Sequence, residues 1–486
     1  MRNLYRSFVF GLVSILTVSA LASCGGVTSG TEEDFSKLVA EIDLDADEGF
    51  SGELNVLTTS EESEIVTMNA LVKAFNEKYP HIKVNCKQEL LDGYYSSLTT
   101  TAGTAINQKD HALMPDVFWF AQDKLDTLYS QGEILFPLSA IDEKDDSFSE
   151  DLLVEEALSV SKINNQLYLM PRDYNQVVMY FNQDIFDAAG VEYPTAQMSK
   201  SEFVSMLSAL RSGLNASEEK NDYGVLYKDA VKTLIDVNSQ WDSWVWPLVK
   251  GFGGRVVDSE GNSTLNSENV YNAVAFWKSL RDNKYVGEIT TMNSGVNFRM
   301  QQSAIYFHAR AVLSDITKST KQIKGVQNLG VTAIPQFGSE YAVGGGSSGY
   351  GMYKNAVNKT AAWLFLKFIV SEAGQNAFCA TGNGVPAAKA LLHDENATWR
   401  KYSNDALGTA FDVNAFVYGL DGEKTAFAST RDFYQYIPLE VQEDVLTCLR
   451  SCFNVIDSQN NTEKDIRDQI ANQAELIEYY IKRANR

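Results

Sequence analysis

Polar and apolar positions alternate with a period of two over Glu53-Leu54-Asn55-Val56-Leu57, which predicts a short strand. Thr59 and Glu62 then stand three apart, the spacing of a helix capping box. Ile65, Met68, Val72, Phe75 and Tyr79 step by three and four, as one face of an amphipathic helix must. Pro80 cannot continue that helix, and Ile82-Lys83-Val84-Asn85 reads as a second strand. Strand, helix and strand in this order open a parallel α/β sheet. The pattern continues. Val117-Phe118-Trp119-Phe120 is a short apolar strand, and a helix follows near 122–129. Residues 166–171 and 177–181 form two further strands, with helical periodicity near 200–212, 268–284, 359–380 and 463–485. There is no internal repeat.

The first residues depart from this pattern. Arg2 and Arg6 precede an apolar run from Phe8 to Leu21, followed by the small residues Ala22 and Ser23 and then Cys24. That run is short for a membrane-spanning helix and suits an export signal over residues 1–23. Leu21-Ala22-Ser23-Cys24 resembles a bacterial lipobox, which implies lipid on Cys24. Residues 24–52 are rich in Gly, Ser, Thr, Glu and Asp without sustained period, and are expected to be a flexible acidic tether. The remainder is long enough for two domains.

The net charge is −22, and loss of Arg2 and Arg6 with a signal peptide makes it more negative. Such a charge argues against nucleic-acid binding and against adhesion of the body to an anionic membrane. Past Cys24 the cysteines are Cys86, Cys379, Cys448 and Cys452. Cys448 and Cys452 share a helix face, which leaves open either a bridge between them or four unpaired thiols. Four scattered histidines give no zinc spacing, and no metal or cofactor is expected.

Four clusters carry candidate chemistry. Gly345-Gly346-Ser347-Ser348-Gly349 fits the G-x-S-x-G string of serine hydrolases, but a nucleophile elbow needs a helix after the serine. Here Tyr350-Gly351-Met352-Tyr353 reads as strand, so the glycines are better explained as a turn that moves or approaches a ligand. Trp241-Asp242-Ser243-Trp244-Val245-Trp246 places three indoles within six positions. Some belong to the core, while one suits the apolar face of a sugar ring. Trp119, Phe120 and Asp123 follow a strand end, where open α/β sheets bind ligands. Glu61 holds the same place after the first strand, and Glu62 reads as a cap. Arg172, Asp173 and Asn175 lie between two apolar strands, as a hinge or cleft wall would.

The ordered segments Ala74-Phe75-Asn76-Glu77-Lys78-Tyr79-Pro80, Pro115-Asp116-Val117-Phe118-Trp119 and Tyr180-Phe181-Asn182-Gln183-Asp184-Ile185-Phe186 resemble extracellular solute-binding proteins of bacterial ABC importers. The likeness is to family 1, the sugar-binding, maltose-binding-protein-like type. It continues through Gly253-Gly254, the Phe298–Arg310 segment, Val331-Thr332-Ala333-Ile334-Pro335, Ala362–Ile369 and Gly384-Val385-Pro386-Ala387, over about residues 53–390. It implies a type II periplasmic-binding fold: two α/β lobes joined by crossing strands, with ligand in the cleft between them. By position it implies ligand contacts at Glu61, Phe120, Asp123, Asn175 and Trp241. Where the family has a glycine–tryptophan pair, this chain has His308-Ala309-Arg310-Ala311. That departure removes a stacking ring and admits a phosphorylated or acidic sugar.

The expected lobes are 53–168 with 338–382, and 172–335 with 385–486, with crossings near 168–172, 335–340 and 382–387. The expected site is Glu61, Trp119, Phe120, Asp123, Asp173, Asn175, Trp241, Trp244, His308, Arg310 and Gly345, with Cys24 lipidated. The expected protein is no enzyme but a monomeric, lipid-anchored, exported carbohydrate binder. It would close around its ligand and deliver it to ABC permease subunits. The alternatives are a secreted serine hydrolase using Ser347, a binder of a non-sugar solute, and a surface lipoprotein with a protein partner.

Overall fold

The computed structural model describes residues 35–287, 295–401, 405–420, 426–454 and 461–485. The expected signal peptide and Cys24 lie outside these residues. Lobe one is built on a sheet in the order Ile82–Glu89, Gly52–Thr59, Val117–Ala121, Ser348–Met352, Met170–Pro171. Its first three strands are parallel, in register Leu54↔Val84 and Val56↔Val117, and the last two join antiparallel. The helix Glu62–Lys78 returns the chain between the first two strands, burying Thr67, Met68, Leu71 and Phe75 along one face. Phe75 meets Phe365 and Phe368 of the helix Lys359–Val370 at 5.1 and 5.5 Å. The expected capping box is not formed. Thr59 still belongs to the strand, and the N-cap residue is Glu61, whose side chain makes no capping bond.

Lobe two has the order Leu407–Phe411, Leu329–Thr332, Val178–Asn182, Ile305–His308, Ile235–Asp236. The central strand runs antiparallel to both neighbours. Met179 and Phe181 face a core built by the helices Lys200–Ala216, Asp242–Gly251, Glu268–Asp282, Gln442–Asn454 and Glu463–Ala484. Val178 and Tyr180, one residue out of phase, face the opposite layer, as strand alternation requires.

Three segments connect the lobes, and hydrogen bonds tie them to one another. Asn175–Gln176 pairs antiparallel with Gly345–Gly346. Val177 N–H donates to Gly344 O (2.8 Å), Tyr174 N–H donates to Val385 O (3.1 Å), and Asp173 bridges to Pro386. Two crossings therefore lie further along the chain than expected. Met170–Pro171 still pairs within lobe one, so the first crossing is at 172–177. Ala342 and Val343 are buried with the lobe-two helices, so the second is at 344–347.

The stretch expected to be a flexible tether is docked on its described side. Val39 and Ile42 are buried in the lobe-one core, Lys359 pairs with Glu41 at 2.8 Å, and Asp43 N–H donates to Thr360 Oγ1 at 3.0 Å. Cys448 and Cys452 are unpaired thiols, and Cys452 Sγ–H donates to the Cys448 carbonyl at 3.4 Å. No described helix is long and apolar enough to cross a membrane.

Candidate ligand cleft

The ends of both sheets converge on the crossings. In lobe one the parallel strands finish at Thr59, Glu89 and Ala121, and Ser348 begins its strand opposite Ala121. In lobe two His308 lies opposite Val178, and Thr332 opposite Met179, beside the first crossing. The loops after Ala121 and after Asp236 and His308 therefore open towards the same space, the place where α/β sheets hold ligands.

Trp241 stands there as the N-cap residue of the helix Asp242–Gly251. Of the seven tryptophans it alone is not fully buried, packing against the lobe-two core with part of its surface exposed; Trp119, Trp244, Trp246, Trp277, Trp363 and Trp399 are buried. Its indole lies flat on the His308 imidazole, with centroids 4.8 Å apart and planes 19° apart, and Tyr306 backs His308 at 5.4 Å. His308 Nδ1 accepts the Ala309 N–H at 2.9 Å, which places the neutral ring's proton on Nε2. The half-buried imidazole is desolvated enough that its pKa falls to about 4, so it carries no charge at neutral pH. A second link fixes the helix: Asp432 accepts from Trp246 Nε1–H (3.0 Å) and Lys250 Nζ (2.7 Å).

Lobe one offers Asp123, half-exposed and paired with Lys124 at 2.8 Å. Lys124 lies 5.7 Å from the Tyr95 ring, and Tyr95 Oη accepts the Ala121 N–H at 3.3 Å. Gln122 bonds the second crossing, donating to Gly345 O and accepting from Ser347 N–H, each at 3.3 Å. From lobe two, Asp242 accepts the Ser243 N–H at 3.0 Å. Burial raises its pKa; Arg450 opposes the rise, and the negative charge of Asp123 adds to it. The two lobes' carboxylates thus act on one another across the cleft.

The structure brings Asp123, Trp241 and His308 of the expected residues into this space and sends others elsewhere. Phe120 is fully buried against Phe118 and beneath Gly351, because it takes the inward phase of its strand. Trp119 packs edge-on to Tyr94 within lobe one. Trp244 is core, one helical turn from Trp241, against Phe307 at 4.6 Å and Trp277 at 5.4 Å. Arg310 is buried over the Trp399 ring and donates to the Trp399 carbonyl at 3.0 Å, so it adds no charge to the cleft. Asp173, Asn175 and Gly345 belong to the crossings. Asp173 pairs with Arg172 at 2.9 Å and accepts from Ser348 N–H and Oγ–H, and Asn175 Oδ1 accepts the Val385 N–H at 3.2 Å. Glu61 is exposed at a helix start. Sequence reasoning missed Tyr95, Gln122 and Asp242. Asp242 was within reach of it, standing beside the tryptophan singled out.

The hydrolase string proves to be a crossing. Ser347 Oγ–H donates to the Asp173 carbonyl at 2.6 Å rather than to a base, and strand, not helix, follows it. Among the described residues no cluster of three His, Cys, Asp or Glu could hold a metal ion.

Residues 70–406 match the bacterial extracellular solute-binding protein family. A Brucella abortus protein described as a binding protein is 24% identical over 350 residues, which covers 70% of this chain and 75% of that one. Among solved structures, the maltose-bound MalE3 of T. maritima superposes with a TM-score of 0.64 at 16% identity, over 88% of this chain and 100% of that one. UgpB of Mycobacterium tuberculosis, in complex with glycerophosphocholine, gives 0.67 at 15% identity, over 89% and 99%. These likenesses establish the two-lobed periplasmic-binding fold, and the family match extends over most of the chain. The chain therefore belongs to the bacterial extracellular solute-binding protein family, whose members capture solutes outside the cell for ABC importers.

Proposed function

We propose that this protein captures a mono- or oligosaccharide between its lobes, closes on it, and delivers it to the membrane subunits of an ABC permease without altering it chemically. The observation that carries the reading is the Trp241–His308 stack at the sheet ends, with a carboxylate on each side of the cleft. A flat aromatic face takes the C–H face of a sugar ring, while carboxylates and amides take its hydroxyls. The maltose bound by the T. maritima neighbour agrees with this. Ligand that touches both lobes only when they are closed shifts the open–closed equilibrium by its differential affinity. Lipid on Cys24 would hold a monomer at the cell envelope; Cys24→Ser should move the protein from the membrane fraction to the soluble fraction.

The test is thermal unfolding against a sugar panel. A ligand at a hundred times its Kd stabilises by about 2.7 kcal/mol. The shift should be lost in Trp241→Ala. If no sugar shifts the transition while glycerophosphocholine does, the cargo is a non-sugar solute.

A further inference from the structure

The charges around Trp241 follow a rule that the sugar assignment alone does not contain. Two cations act on this space, and each already has a carboxylate partner: Lys124 with Asp123 at 2.8 Å, and Arg450 with Glu443 at 3.2 Å. Asp242 has no cation within salt-bridge distance among the described residues, and it accepts the backbone N–H of Ser243. It follows Trp241 directly at the start of the same helix. The two groups that would have made the cleft positive do not. Arg310 is buried against Trp399 on the far side of its strand end, and His308 is spent as a neutral ring in the stack. Lys318, another cation between the lobes, pairs with Glu62 at 3.7 Å.

We infer that Asp242 makes the Trp241 platform negative, so that the cleft accepts neutral polyols and protonated amino sugars and rejects phosphorylated and carboxylated ones. This rests on the reading of the cleft as a sugar site, and it reverses what His308 and Arg310 suggest in the sequence. A hydroxyl or ammonium hydrogen can donate to the free carboxylate oxygen, whereas an anionic group would face it in a partly desolvated space. At an effective permittivity near 20, one such contact at about 4 Å costs on the order of 1,000-fold in affinity.

Fluorescence quenching tests the potential at Trp241 without knowledge of the cargo. Iodide, caesium and acrylamide are titrated into the full chain at constant ionic strength. Each constant is divided by that of N-acetyl-tryptophanamide. Trp241→Phe identifies the Trp241 component, because the other six indoles are buried. In the native protein that component should be quenched at least twofold more by caesium than by iodide. Asp242→Asn should bring the two together and leave acrylamide unchanged. Equal iodide and caesium constants in the native protein, or no response to Asp242→Asn, would overturn the inference. So would Trp241→Phe leaving the quenching intact. A second arm compares glucose, glucosamine and glucose 6-phosphate by thermal shift. A larger shift with the phosphate than with glucose removes the selectivity rule while the sugar reading stands. A negative platform that no sugar stabilises removes the sugar reading and leaves the rule.

Discussion

Replacing Arg172 with methionine probes the ion network that pins the first crossing to lobe one. The guanidinium is almost wholly buried and forks onto Glu64 (2.6 and 3.0 Å), with further bonds to Asp173 (3.1 and 2.9 Å) and Ser348 Oγ (2.8 Å). Its plane also lies 4.9 Å from the Phe378 ring. Burial opposes its charge, but the carboxylates of Glu64 and Asp173 outweigh that and raise its pKa. Methionine keeps much of the volume and removes the cation, leaving two carboxylates facing each other in a desolvated site. Breaking a buried ion set in this way costs about 3–5 kcal/mol. For a lobe of roughly 200 residues unfolding as a unit, with about 2.1 cal/mol/K per residue, 4 kcal/mol lowers Tm by on the order of 10 °C. Calorimetry and urea unfolding at pH 7 measure it. The decisive control is the triple variant Glu64→Gln, Arg172→Met, Asp173→Asn. With no charge left unpaired, it should recover at least half of the loss. A single variant that loses less than about 1 kcal/mol, or a triple variant no more stable than the single, would refute the reasoning that these charges act as one network.

Three further outcomes follow from positions already described. His308 has a pKa near 4 when folded and about 6.5 when unfolded, so the unfolded chain gains a proton first as pH falls. Stability relative to His308→Gln should be full above pH 6.5 and decline by about 3 kcal/mol as pH drops to 4, read from urea midpoints at successive pH values. Trp244→Ala should cost about 3–5 kcal/mol in unfolding assays, while Trp241→Ala, at a partly buried position, should cost about 1–2 kcal/mol. Gly344→Ala would set a Cβ 2.0 Å from the Ser243 carbonyl, just inside the helix that carries Trp241. It should cost about 3 kcal/mol and weaken ligand binding through the displaced helix start, measured by thermal shift with and without ligand.

Long periodic elements were legible in the sequence because burial of one face imposes the period. The helices Glu62–Lys78, Lys200–Ala216 and Glu463–Ala484 lie where the spacing put them. Two of the three crossings lie later than expected because a two-residue ladder such as Gly345–Gly346 has no period to read. The candidate site was only partly legible for a related reason. Trp241 and Trp244 are equal as residues, but three steps along a helix take the second into the core. Phe120 matches a ligand contact by position and Arg310 stands in the segment that replaces the family's glycine–tryptophan pair, but position along a strand does not say which face a side chain takes. Arg310 turns inward because Trp399, far away in sequence, supplies both a ring and a carbonyl. The docked segment near residue 40 was hidden by its acidic composition, although Leu38, Val39, Ile42 and Leu44 already marked an apolar stripe there.

That docked segment has a mechanical consequence. Glu41 and Asp43 are fastened to the start of a lobe-one helix, so any pull from upstream of residue 35 is borne by lobe one. From Cys24 to Phe35 is eleven residues, a leash of at most about 40 Å. A lipid at Cys24 would therefore moor one jaw close to the membrane and leave the other to swing. Closure would then be a movement of lobe two relative to the cell surface, and the face the jaws present to a permease would be set from the moored side.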